Sequence, residues 1–157
     1  MTERNINISF REYSSIEELG AGDRELATAA VEMMKNAYAP YSKFHVGAAV
    51  RMSGGAIVRG SNQENAAYPS GLCAERTAMF AANATYPDQD MLGIAIAGGM
   101  EGELTEEPAS PCGSCRQVMA QYQTKSGKDL SVIMVGAGKI LKFSKVDDLL
   151  PMIFKSI

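Results

Sequence analysis

The sequence predicts an α/β protein, a three-layer α/β/α sandwich around a mixed five-stranded sheet. Three observations carry this. Apolar residues recur at helical spacing after Asp23, a hairpin signature follows at Ser53-Gly54-Gly55, and from Ser70 onward helical stretches alternate with short apolar runs. A chain of 157 residues can bury one sizeable core but is short for two, so residues 1–157 are read as one domain with an N-terminal arm over residues 1–20.

Each element has a local reason. Ile6, Ile8 and Phe10 alternate loosely and suggest an extended arm to which no function is assigned. Leu26, Ala30, Met33, Met34 and Ala37 share one face of a helix expected from Ala21 to Tyr38, and Pro40 ends it. A strand from Val46 to Met52 follows, with Gly47, Ala48 and Ala49 small enough for another backbone to pack closely. The second hairpin strand, Ile57 to Ser61, gives way abruptly to Asn62-Gln63-Glu64-Asn65, a polar cluster at a strand end and therefore a candidate binding edge.

A helix rich in Ala and Met is expected from Cys73 to Asn83, with Pro87 forcing its exit. Met91 to Ala97 reads as a buried strand, and Gly98 to Ala109 as an acidic loop. Pro111 stands where a helix from Cys112 to Gln123 would begin, and Gly127 lies just beyond its end. Strands at Leu130–Val135 and Ile140–Phe143 complete the sheet, and a last helical turn covers residues 147–151.

Composition excludes several functions. The chain is 46% hydrophobic and 21% charged, as in globular proteins. No apolar run approaches the roughly 20 residues that cross a bilayer, so no membrane partner is expected. The first residues lack the apolar core and cleavage site of an export signal, and the cytoplasm is the expected compartment. A formal charge of -3 without basic clusters weighs against a nucleic-acid partner and for a small neutral ligand. Three cysteines make a poor disulfide framework.

All three thiols lie in two motifs, Cys73-Ala74-Glu75-Arg76 and Pro111-Cys112-Gly113-Ser114-Cys115. Both sit at expected helix starts, where unpaired N–H groups and the helix dipole favour negative charge and ease thiol deprotonation. Thiolates are the metal-binding form, and three with a fourth position open make a catalytic zinc arrangement. Glu75, two residues past Cys73, can lie beside the metal without ligating it, as a proton shuttle requires. Arg76 or Arg116 could donate to thiolate sulfur and offset the negative charge of the site. A Cys112/Cys115 redox pair is the alternative, but it leaves Cys73 and Glu75 unexplained. His45 is the single histidine; it is read as a hydrogen-bonded or surface residue and not as a ligand.

These motifs resemble the deaminase superfamily. The stretches Tyr38 to Ala49, Asn62 to Pro69, Cys73 to Ala78 and Leu149-Leu150-Pro151 are similar to the small homotetrameric cytidine deaminases of pyrimidine salvage. The resemblance implies a cytidine deaminase-like fold, one zinc per subunit on Cys73, Cys112 and Cys115, Glu75 as the catalytic acid/base, and hydrolysis of cytidine and 2'-deoxycytidine to the uridine nucleosides with release of ammonia. It also implies that Asn62 and Glu64 bond a sugar hydroxyl, Phe44 packs on the base, the Ala74 backbone meets the ring edge, and Phe154 reaches a neighbouring subunit's site. Strand alternation agrees, placing Asn62 and Glu64 on one side and Gln63 on the other. The chain departs from the family pattern at Gln63, at His45 and in the short stretch after Phe154. The weighed alternatives are another aminopyrimidine nucleoside or blasticidin S as substrate, a noncatalytic zinc-stabilised module, and nucleic-acid editing.

Overall fold

The computed structural model describes residues 1–155. Its strands are β1 (Arg11–Tyr13), β2 (Phe44–Met52), β3 (Ile57–Ser61), β4 (Met91–Met100), β5 (Ser131–Val135) and β6 (Ile140–Phe143), and its helices α1 (Ala21–Met33), α2 (Ala74–Thr85) and α3 (Gly113–Ser126). The strands form one mixed sheet in the order β1-β6-β5-β4-β2-β3. β4 and β5 are parallel, and the other neighbours antiparallel.

The pleat explains the layers. Ala48, Val50, Ile94, Ile96, Val132 and Met134 point into a core shared with α2 and α3, while Ala49, Ala95, Ala97, Ile133 and Val135 point into one shared with α1. Small residues dominate the α1 side because that helix lies almost on the sheet. A Cβ at Gly47 would stand 2.1 Å from the carbonyl oxygen of Ala30, which only glycine permits.

The same logic seats α2. A Cβ at Gly60 would stand 2.4 Å from the backbone nitrogen of Ala78 and 2.8 Å from the carbonyl oxygen of Ala74. The first turns of α2 therefore rest directly on β3. Strands β3 and β4 both run antiparallel to β2 and so point the same way. The helices that follow them, α2 and α3, consequently begin at the same end of the sheet and on the same face.

The sheet has six strands where the sequence predicts five. The added strand, β1, belongs to the expected N-terminal arm and pairs Arg11, Glu12 and Tyr13 with β6. Three residues beginning with two charges carry no readable period of two, so the signal lies in the partner and not in the segment. Phe10, just before it, stacks against Phe143 with ring centroids 5.3 Å apart.

Helix α1 also ends earlier than its apolar face suggests, tightening into a 3-10 turn at Met34–Asn36. Tyr38 is drawn out of the helix because its backbone bridges to Gln63. Strands β2 and β4 run past their expected ends because each borders the other, His45 facing Gly99 and Phe44 facing Met100. Gly127, in the left-handed region at φ 65°, closes α3.

Gly47→Ala is expected to lower the unfolding free energy by about 3 kcal/mol, because the added methyl meets a backbone carbonyl that cannot rotate away. Urea denaturation of the two proteins measures it.

Candidate metal centre

Cys73 is the N-cap of α2 and Cys112 the N-cap of α3, and neither cap position carries a side-chain hydrogen bond to the helix. Both thiols therefore sit at helix starts, where the dipole favours negative charge. Cys115, one turn into α3, is fully buried, Cys73 is half-buried and Cys112 is exposed. The three Sγ atoms lie within 4.8 Å of one another, and Cys73 and Cys112 are 3.9 Å apart.

A tetrahedral ion with Zn–S bonds of about 2.3 Å needs sulfurs about 3.8 Å apart, whereas a disulfide would bring them to about 2.05 Å. The separations fit an ion, and all three cysteines are free. Among the described residues the cluster of possible ligands stops at these three, which leaves one tetrahedral position for a reactant. His45 takes no part in it.

The surroundings are built for negative sulfur. The Nη2 of Arg76 donates to Cys73 Sγ at 3.8 Å, and the buried Nε of Arg76 has no hydrogen-bond partner among the described residues. The Cys73 thiol is lowered to about 5, first by its hydrogen bond from Cys115 and then by those from Arg76 and Cys112. Cys115 moves the opposite way, pushed up by the Cys73 sulfur, by burial and by the charge of Glu75. Thiolate is the metal-binding form, and a divalent cation on the three sulfurs displaces whatever protons they carry.

Glu75 occupies the first turn of α2 and is only 4% exposed. Burial pushes its carboxyl above the usual carboxylate range, and the Cys73 charge adds to the effect. Arg116 does not donate to sulfur. Its Nε and Nη1 go to the carbonyl oxygens of Pro111 and Leu149, each at 2.8 Å.

A cavity of about 460 Å³ opens over this centre and is lined by Cys73, Glu75, Arg76 and Cys112 on one side and by Phe44, Asn62 and Glu64 on another. Asn62 is held by β2, its Oδ1 accepting from the Val46 N–H at 2.8 Å and its Nδ2 donating to the Phe44 carbonyl at 2.9 Å. One amide hydrogen and one lone pair remain for another group. A carboxylate oxygen of Glu64 accepts from the backbone N–H groups of Tyr41 and Ser42, leaving its second oxygen available. The Ser42 hydroxyl and those N–H groups hold Glu64 below the usual carboxylate range, so it is an acceptor at neutral pH.

Gln63 also lines the cavity, where simple alternation would turn it away. Its backbone exchanges two hydrogen bonds with Leu72 and its amide donates to Ser61 Oγ, so the segment leaves the strand before alternation can act. Ala74 is fully buried in the first turn of α2, with its carbonyl toward β3. Phe154 is 64% exposed and lies outside the cavity lining of its own chain.

Ala109, Ser110 and Tyr68 also line the cavity. Ala109 and Ser110 lie in an irregular segment and Tyr68 opens the single 3-10 turn Tyr68–Ser70, and neither carries a periodic signal that marks an inward side chain. At Gly98 a Cβ would stand 3.0 Å from Ala109 Cβ and 3.1 Å from the Phe44 ring, so its bareness makes room for that ring.

The model for the cytidine and deoxycytidylate deaminase zinc-binding region matches residues 21–128. The chain belongs to this deaminase family. Among relatives of the deaminase, the cytidine deaminase of Halalkalibacterium halodurans is 45% identical over 102 residues, 63% of this chain and 71% of that one. The crystal structure of cytidine deaminase from Burkholderia pseudomallei superposes with a TM-score of 0.72 at 40% identity, covering 83% of this chain and 97% of the other. That from Mycobacterium tuberculosis gives 0.66 at 32% identity, with 84% and 96% covered. The fold is therefore that of the cytidine deaminases. Zinc is bound by Cys73, Cys112 and Cys115, the trio whose spacing fits it.

Cys112→Ser is expected to hold well under one zinc per chain by atomic absorption. With chelator present its melting temperature should match that of the chelated wild type, since an exposed side chain contributes little to the apo fold.

Proposed function

We propose that this deaminase converts cytidine and 2'-deoxycytidine to uridine and 2'-deoxyuridine, releasing ammonia. The observation that carries the reading is a buried carboxyl, Glu75, placed at the wall of a cavity beside three converging sulfurs. Zinc on those sulfurs supplies a Lewis acid that makes water nucleophilic at neutral pH.

The chain's own residues do the rest. Glu75 takes a proton from the water that adds to C4 of the base and passes it to N3, then helps protonate the departing amine. Burial raises its proton affinity above that of an ordinary carboxylate, the direction that suits a group which must both take up and return a proton. Arg76 offsets the negative charge of three thiolates and orients Cys73.

Asn62 and Glu64 complement a sugar hydroxyl. The spare amide hydrogen of Asn62 donates to the hydroxyl oxygen, and the free oxygen of Glu64 accepts its proton, so one hydroxyl satisfies both. Phe44 supplies an apolar face for the base, and an N–H at the start of α2, beside Ala74, suits a carbonyl at the ring edge.

A homotetramer agrees with the apolar side chains left on the surface, among them Tyr68 at 87% exposed, Phe80, Met152 and Phe154. In such an assembly Phe154 would serve a neighbouring site. No helix among the described residues is long and apolar enough to cross a membrane, which fits a cytoplasmic enzyme of pyrimidine salvage.

Protein of known zinc content, assayed by ultraviolet absorbance with cytidine, should release ammonia in step with loss of cytidine. Turnover should vanish on chelation and return with zinc. Glu75→Gln is expected to keep zinc and melting temperature but lose two to four orders of magnitude in kcat; a metal-replete variant with substantial turnover would contradict the role given to Glu75. Arg76→Ala should lower kcat, and normal activity with normal zinc content would contradict the role given to Arg76.

A further inference from the structure

Of the three sulfurs, that of Cys112 has the least side-chain packing to hold it. Cys115 is sealed in the core and Cys73 is half-buried, but Cys112 is exposed and follows the long loop that leaves β4. Its Sγ position is therefore set chiefly by the two peptide units around it. Both are tied to one residue. The backbone N–H of Arg116 donates to the Cys112 carbonyl at 3.0 Å as the first helical bond, and the Arg116 Nε donates to the Pro111 carbonyl at 2.8 Å.

The same guanidinium reaches further. Its Nη1 donates to the Leu149 carbonyl at 2.8 Å, at the end of the 3-10 turn Val146–Asp148. The next residue, Gln117, donates through Nε2 to the Phe154 carbonyl at 2.8 Å. That turn is itself fastened to α3, because Gln123 Oε1 accepts from the Val146 N–H at 2.9 Å. A planar group with fixed donors can span two carbonyls in a set geometry, which a lysine ammonium on a flexible stem cannot reproduce.

We propose that Arg116 is the positioning residue for Cys112, and that through it residues 146–154 act as the outer support of the zinc site. Arg116 touches neither metal nor substrate; it holds the peptides on both sides of a ligand and anchors them to the C-terminal segment. Removing its side chain leaves Cys115, Cys73 and the backbone bond to the Cys112 carbonyl in place but releases the peptide that precedes Cys112. Zinc retention, more than nucleoside binding, is the property that suffers. The inference rests on the zinc-deaminase reading of the same site.

The test is zinc release from the loaded enzyme into a chromogenic chelator, run beside turnover of cytidine. Arg116→Ala is expected to release zinc about 10- to 100-fold faster than wild type, with KM unchanged within about twofold and kcat per bound zinc close to wild type. Arg116→Lys should fall between them, and millimolar methylguanidinium should slow release from Arg116→Ala. Ile133→Val, in the core on the α1 face, supplies a loss of stability away from the site and should release zinc at the wild-type rate. Folded Arg116→Ala or Arg116→Lys releasing zinc as slowly as wild type, or Ile133→Val releasing it as fast as Arg116→Ala, would overturn the proposal. A wild type that holds no zinc would overturn both this inference and the reading beneath it.

Discussion

Three sulfur atoms within 4.8 Å of one another are the constraint on which the rest of the molecule depends. Like charges do not gather unaided, so the fold must bring them together and hold them there. It does so by topology: β3 and β4 point the same way, each leads into a helix on the same face, and the two helix starts converge. The ligands are the caps and first turn of those helices, where backbone N–H groups already favour negative charge. Gly60 lets α2 rest on the backbone of β3, which fixes the height of Cys73 and Glu75 against the α3 pair.

The arrangement sets local stability against function. Glu75 resists ionisation because it is buried, with the Cys73 charge adding to the effect, and Cys115 is raised by the same Cys73 sulfur and by burial. A hydrophobic residue at either position would suit the core better. What offsets the cost is the Arg76 guanidinium next to Cys73 and, when zinc is bound, the metal's two positive charges. Under the proposed function these groups are poised where protons must move.

Much of the site is legible in sequence because its chemistry is local. Cys73 and Glu75 are two residues apart and Cys112 and Cys115 three, spacings that a helix start translates directly into neighbouring side chains. The hairpin, the buried strands and the three helices are legible for the same reason, since apolar periodicity is a property of each segment alone. What is not legible depends on a distant partner. β1 exists because β6 offers an edge, and α1 ends early because Tyr38 is needed opposite Gln63. Asn62 reads as a binding residue, yet half of its hydrogen-bonding capacity is spent on β2. Arg116, beside a ligand, invites a bond to sulfur, but the carbonyls of Pro111 and Leu149 take its donors.

The central claim is that one zinc ion sits on three thiolates with a light atom in its fourth position. X-ray absorption at the zinc edge of the loaded protein measures this most directly. The account predicts three sulfurs at about 2.3 Å and one oxygen or nitrogen at about 2.0 Å. A shell of four sulfurs, or one made of oxygen and nitrogen with fewer than three sulfurs, would contradict it.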